Sequence, residues 1–229
     1  MSPTRIRRLG ARTVLAALSV SAVGLAADVV APVRSAVAVE YKRAAVPTSA
    51  LDFPLGNTDD PAVGQAAAAL GLLADGRDPD AYRSALEALA GSIGPRVDID
   101  PARLVAAWAQ ARPEEMTVLL SALTQLGVGY RYASSQPGAA FDCSGLVRWA
   151  WSRAGIDLPA NSGQIIRWAP NTPVSELEPG DVMWYPGHVM LALGVDDAYV
   201  HAVGRGKVLE VRSMYAKHKR KIRAIDPLG

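Results

Sequence analysis

Apolar positions recur at helical spacing through the first half of the chain and in short runs through its last third. From residue 59 the sequence is rich in alanine and leucine. Leu86, Leu89 and Ala90, and then Leu104, Ala107 and Trp108, each fall on one helix face. Asp60-Pro61, Asp78-Pro79 and Asp100-Pro101 each place an N-cap acid before a proline, whose missing N–H does no harm at a first helical position. They predict helices over 61–74, 79–91 and 101–111. Pro113-Glu114-Glu115 opens a fourth helix that runs to Leu126 and stops at Gly127. Gly138 and the small residues after it read as loop. Beyond them Leu146, Val147, Trp149, Ala150 and Trp151 return to helical spacing, and Gly155 suits the helix end. Asn161 or Ser162 caps a short helix through Trp168. After Glu178-Pro179-Gly180-Asp181, a turn whose acids shape and solvate it, the apolar runs become short and bounded by turn residues. They predict strands near 182–185, 188–194, 198–203 and 207–212, with Val195–Ala198 as a hairpin turn. Helices first and antiparallel strands afterwards make an α+β fold.

The first 38 residues stand apart from this pattern. Arg5, Arg7, Arg8 and Arg12 form a positive head, Val14 to Ala27 is an apolar run of small residues, and Ala36-Val37-Ala38 offers a cleavage site. This is the layout of a secretory signal peptide. The apolar run is short against the ~20 residues a membrane-spanning helix needs. Residues 39–58, with Pro47, Pro54 and Gly56, read as a linker. The helices of 59–112 form either a small domain or an extension packed on the rest, which occupies 113–229.

Charge changes the picture only slightly. The chain carries 24 basic and 22 acidic side chains, for a net charge of +2. Without residues 1–38 the balance is slightly acidic, so no nucleic-acid partner is expected. Residues 39–126 hold 12 acids and 7 bases, and residues 127–229 hold 9 acids and 12 bases. This asymmetry admits a contact between the N-terminal helices and the remainder, or attraction of the basic part to an anionic surface. Nothing has the spacing of a zinc site: there is no H-E-x-x-H and no cysteine cluster. No phosphate-binding or dinucleotide fingerprint is present, so no cofactor is expected.

The candidate chemistry lies in three residues. Cys143 is the only cysteine, so no internal disulfide forms, and it sits where a helix begins. A thiol in a first helical turn feels the positive end of the dipole, which favours the nucleophilic thiolate. Two of the three histidines, His188 and His201, fall on one predicted hairpin. A cysteine on a helix, a histidine on a strand and a polar residue on the next strand is the order of a papain-type site: nucleophile, base and orienting group. An ideal hairpin does not set His188 directly opposite His201. Asp196, Asp197 and Glu210 are further candidates for an orienting role behind His201.

From Ala122 to Tyr215 the chain resembles the NlpC-type family of papain-like cell-wall peptidases. The likeness is carried by Ala122 to Tyr130, by Phe141-Asp142-Cys143-Ser144-Gly145 with the helix that follows, and by Ala154 to Pro159. It continues in Leu177 to Val182, Gly187 to Gly194 and Tyr199 to Ala202. The resemblance implies Cys143 as nucleophile, His188 as general base and His201 as the third polar residue. It implies Tyr130 beside the nucleophile, and Asp142 and Ser144 at positions that help hold the substrate peptide. The chain departs from the family's pattern at Tyr132-Ala133-Ser134, where a Trp-Gly-Gly is usual, and at Ala160, where an arginine often stands. The implied activity is that of a secreted cysteine endopeptidase of the bacterial cell wall. Its substrate would be the stem peptide of peptidoglycan, cut between D-glutamate and the diamino acid. An amidase, transpeptidase or acyltransferase on the same fold, and a non-catalytic wall-binding module, are the alternatives.

Overall fold

The three aspartate–proline pairs each start a helix in the computed structural model, which describes residues 51–215 and 221–229. α1 (Pro61–Asp75), α2 (Pro79–Val97) and α3 (Pro101–Trp108) begin where Asp60, Asp78 and Asp100 accept hydrogen bonds from the amides of Ala62, Ala81 and Ala102 at 2.9–3.0 Å. The leader expected over 1–38 and most of the expected linker lie outside the described residues, as do Lys217, His218, Lys219 and Arg220. α2 does not end near residue 91 but continues through Pro95 to Val97. Proline removes one ladder bond, to the carbonyl of Gly91. Both residues are exposed, so that carbonyl keeps access to water. The helix stops at Asp98, which adopts a left-handed conformation (φ 57°) and returns its amide to Gly94. α3 is shorter than expected and ends at Trp108, whose indole N–H donates to the Leu193 carbonyl at 2.8 Å. α4 (Pro113–Leu123) is capped at Arg112, whose amide donates to the Glu115 carboxylate at 2.8 Å.

α5 (Cys143–Arg153) and α6 (Ser162–Ile165) follow, the second capped by Asn161. A small ribbon of β1 (Ser135–Gln136) and β2 (Ala140–Phe141) occupies the stretch expected to be loop. The main sheet comprises β3 (Asn171–Thr172), β4 (Pro179–Tyr185), β5 (His188–Leu193), β6 (Ala198–Ala202), β7 (Leu209–Ser213) and β8 (Arg223–Ile225). Its order is β3-β8-β4-β5-β6-β7, antiparallel at every pair. β4 starts inside the expected turn, and a bulge between Pro179 and Val182 absorbs one extra residue. Asp181 does not solvate that turn: it is buried and accepts the amide of Glu178 at 3.0 Å.

All six residues of β5 are buried, as a strand in the middle of a covered sheet should be. α4 and α5 pack on it. Leu119, Leu120, Leu123, Leu146, Val147 and Trp151 meet Val189, Leu191, Leu193, Val200 and Val211 in one continuous core. The same core takes in Val63, Ala66, Leu86, Leu89, Ile93 and Leu104 from α1–α3. The fold is thus α+β, with helices packed on one antiparallel sheet and further helices packed before it. Among the described residues no helix is long and apolar enough to cross a membrane.

Candidate active site

Cys143 occupies the first position of α5, and the chain around it explains why. Asp142 is the N-cap, with one carboxylate oxygen accepting the Gly145 amide at 2.6 Å and the Ser144 hydroxyl at 3.0 Å. Its other oxygen accepts the Ala133 amide at 2.8 Å. The cap therefore fixes the helix start and the preceding loop together. Gly145 permits this closeness, since a Cβ there would lie 2.0 Å from the Ser134 carbonyl oxygen. Ala133 pays in strain: it is held left-handed at φ 55°. Residues 129–131 run between Phe141 and the stretch before β7. Tyr130 donates its amide to Lys207 at 2.9 Å, and Phe141 donates to Gly129 at 3.2 Å. Tyr130 is thereby brought beside Cys143; burial raises the Tyr130 hydroxyl first, and a charge on Cys143 adds to the rise.

Burial pushes the Cys143 thiol above its ordinary pKa. The amides of Val189, Ser144 and Cys143 itself pull the other way, and the Asp142 carboxylate adds to the rise. The thiolate expected from the helix dipole is therefore not the resting form, because desolvation outweighs the helix amides. The Val189 amide at the sulfur places the thiol against the start of β5, next to His188.

The register explains how the two histidines meet. Leu191 pairs with Val200 and Ala192 with Tyr199, so His188 and His201 are diagonal neighbours on one face of the sheet. Their rings stand edge to face, with His188 Nε2 and His201 Nδ1 2.8 Å apart. Burial lowers His188 to about 4. It also lowers His201 to about 3, helped by His188 and Arg212. Both rings are neutral near pH 7, which leaves His188 Nδ1 as the ring nitrogen not engaged by His201. Tyr185 lies over His188, with ring centroids 5.2 Å apart, and Tyr199 flanks His201 at 4.8 Å. Burial and the nearby thiol raise Tyr185.

Of the candidates behind His201, Glu210 is the one that faces it, directly across the β6–β7 pair. Asp196 instead binds Arg103 at 2.8 and 2.9 Å, at the opposite end of β5 from His188. The Val189 amide had no sequence signal, since any residue supplies an amide. The one group of acids close enough to hold a cation is Glu115, Glu178 and Asp226, among the described residues. The Arg112 guanidinium already lies among them, 2.6 Å from Asp226 and in contact with Glu115.

Cysteine on the helix, then histidine and histidine on the hairpin, is the order expected of a papain-like site. Residues 127–224, somewhat less than half of the chain, match the model of the NlpC/P60 family. A probable endopeptidase of Mycobacterium tuberculosis is 36% identical over 104 residues, which are 44% of this chain and 26% of that protein. A probable endopeptidase of Corynebacterium glutamicum is 36% identical over 117 residues, 48% of this chain and 54% of that protein. The bifunctional muramidase/DL-endopeptidase CwlT of Bacillus subtilis is 35% identical over 71 residues, 31% of this chain and 22% of that protein. The chain spans about a quarter of the length of the mycobacterial relative and about half that of the corynebacterial one.

Proposed function

We propose that the protein is a secreted cysteine endopeptidase that hydrolyses stem-peptide amides of bacterial peptidoglycan, at the bond between D-glutamate and the diamino acid. The observation that carries this reading is the neutral His188–His201 pair, 2.8 Å apart, on the β5–β6 hairpin whose first strand borders the helix-start thiol. Family and relatives support the peptidase class, and the DL-endopeptidase named among the relatives supports the bond. Secretion rests on the sequence of residues 1–38.

In this reaction Cys143 Sγ attacks the amide carbonyl while its proton passes to His188 Nδ1. A raised thiol and a lowered imidazole make that transfer part of the attack rather than a step before it. The Cys143 amide, which at the helix start has no helical carbonyl to donate to and lies at the sulfur, and the Tyr130 hydroxyl stabilise the oxyanion. The C–N bond then breaks and His188 returns the proton to the leaving amine. Water, deprotonated by His188, releases the acyl group. Ser144 and Tyr130 flank the bound peptide. Asp142, with both oxygens engaged, acts by holding Ser144 and the 131–134 loop.

Digestion of purified peptidoglycan, with fragments identified by mass spectrometry, tests the proposal. The expected products carry a new amino terminus on the diamino acid, and Cys143→Ala, folded as the parent, yields none. Fragments cut elsewhere in the stem would replace the bond assignment. Undiminished digestion by Cys143→Ala would remove the cysteine mechanism.

A further inference from the structure

β6 and β7 set His201 directly opposite Glu210. Cross-strand partners of this kind share one face of the sheet. His201 Nε2 and Glu210 Oε1 are 3.8 Å apart. Both atoms are shut off from solvent, and neither makes a hydrogen bond in the structure. Arg212 Nη2 stands 3.0 Å from the same oxygen and holds the carboxylate in place, while Arg212 is itself tied to the Tyr215 hydroxyl. A buried ring nitrogen without a partner gains one if the glutamate, whose oxygen also neighbours Arg212, closes the gap by about 1 Å. Its side chain is part-exposed.

We propose that Glu210 is a positioning residue for the histidine pair, accepting the Nε2 proton of His201 and so selecting the tautomer of His188 that can serve as base. The reasoning rests on the proposed peptidase reaction and on the geometry of one shared proton. His188 Nε2 and His201 Nδ1 hold a single proton between them. If it belongs to His188, then His188 Nδ1 is bare and able to take a proton from Cys143. His201 then carries its own N–H at Nε2, aimed at Glu210. If it belongs to His201, the His188 proton sits on Nδ1 and blocks the base. The bare Nε2 of His201 would then face the lone pairs of a carboxylate. Glu210 favours the first arrangement and penalises the second. When His188 becomes imidazolium during attack, the carboxylate two rings away also stabilises the charge. The groups facing the pair are Tyr185 from β4, Tyr199 from β6, and Glu210 and Arg212 from β7.

The test uses the full chain with Glu210→Leu and Glu210→Gln. On peptidoglycan, Glu210→Leu is expected to lower kcat about 10- to 100-fold with little change in KM, the scale of losing an orienting partner. The acid limb of its kcat profile should move to lower pH, because the imidazolium has lost a counter-charge. Glu210→Gln, which keeps an acceptor without the charge, should recover much of kcat but not the position of that limb. In parallel, 15N spectra of the imidazoles at pH 7 should show His201 protonated at Nε2 in the parent and a tautomer mixture in Glu210→Leu. A role limited to packing would leave both the acid limb and the tautomer unchanged, and that result would overturn the proposal. If the parent digests no peptidoglycan but its tautomer still depends on Glu210, the peptidase reading fails and the positioning role stands. If neither responds, Glu210 has no such role.

Discussion

A histidine held neutral by burial is a base available at any pH above its lowered pKa. His188 sits at about 4 and His201 at about 3, against an ordinary value of 6.5. His188→Ala is therefore expected to cost roughly 10²- to 10⁴-fold in kcat/KM, the range for a lost general base. His201→Ala should cost less, because water can substitute for an orienting ring. A dead His201→Ala beside an active His188→Ala would exchange the two roles. The same shifts bear on stability. Unfolded histidines take up protons below pH 6.5, whereas the folded pair stays neutral until about pH 4. Stability contributed by the pair is thus lost as pH falls from 6.5 toward 4, by at most ~1.4 kcal/mol per pH unit for each ring. At this scale much of the site was legible. A lone cysteine at a helix start and two histidines on one hairpin are visible in sequence order. The protonation state was not, because desolvation depends on packing that brings residues from β5, β6 and α5 together. Glu210 could not be separated from Asp196 and Asp197, since only the β6–β7 register chooses among them.

Elements were legible where a local signal set them and illegible where tertiary contacts did. The Asp-Pro caps fixed three helix starts. Gly91 and Pro95 look like helix breakers in the sequence, yet packing of Ile93 and Val97 carries α2 through them. β3 and β8, at two and three residues, have no periodicity to read: β8 forms on the edge of β4, and β3 on the edge of β8. α5 is the element on which the site depends most. Its cap is unusual in serving two partners, the first turn of the helix and the Ala133 amide of the loop before it. Asp142→Ala is expected to cost ~1–2 kcal/mol of stability in a denaturant melt, the worth of an N-cap. It should also lower kcat, since the helix start carries Cys143. Asp142→Asn, which still caps, should recover most of the stability. A melt unchanged by Asp142→Ala would show that packing alone sets the start of α5.

Two properties belong to the whole molecule. The first is a buried group of acids where α4 meets β4 and β8. Burial raises Glu115 to about 7 and Asp181 to about 8, and Arg112 is drawn against Glu115 and Asp226. Asp181 thus holds a proton in the folded state that the unfolded chain releases near pH 4, while Glu115, raised by burial, accepts from Arg112 at both oxygens. Stability therefore falls as pH rises from about 4 to 8, opposite in sign to the histidine term, and above 6.5 only the acids act. The melting temperature should decline between pH 6.5 and 8.5, and Asp181→Asn should flatten that decline, since an amide mimics the protonated acid. An equal decline in both would assign it to other groups. The second property is the shared core of α1–α3 with the rest. Trp108 donates to Leu193, Ser213 donates to the Val97 carbonyl at 2.7 Å, and Arg103 bridges to Asp196. Residues ahead of α1 dock as well, with Phe53 edge-on to Trp149 and the amide of Gly56 on the Thr124 carbonyl. These contacts run to α4, α5, the far end of β5 and β7, so the N-terminal helices complete a hydrophobic core. A chain beginning at Arg112 would expose the faces of α4 that meet α1, including buried leucines each worth ~2 kcal/mol or more of burial. That shortened chain is expected to aggregate or to melt without cooperativity, whereas the full chain should melt in one transition. If the 112–229 chain instead unfolds in a single sharp transition and digests peptidoglycan at the parental rate, the helices are a separate layer and the core ends at α4.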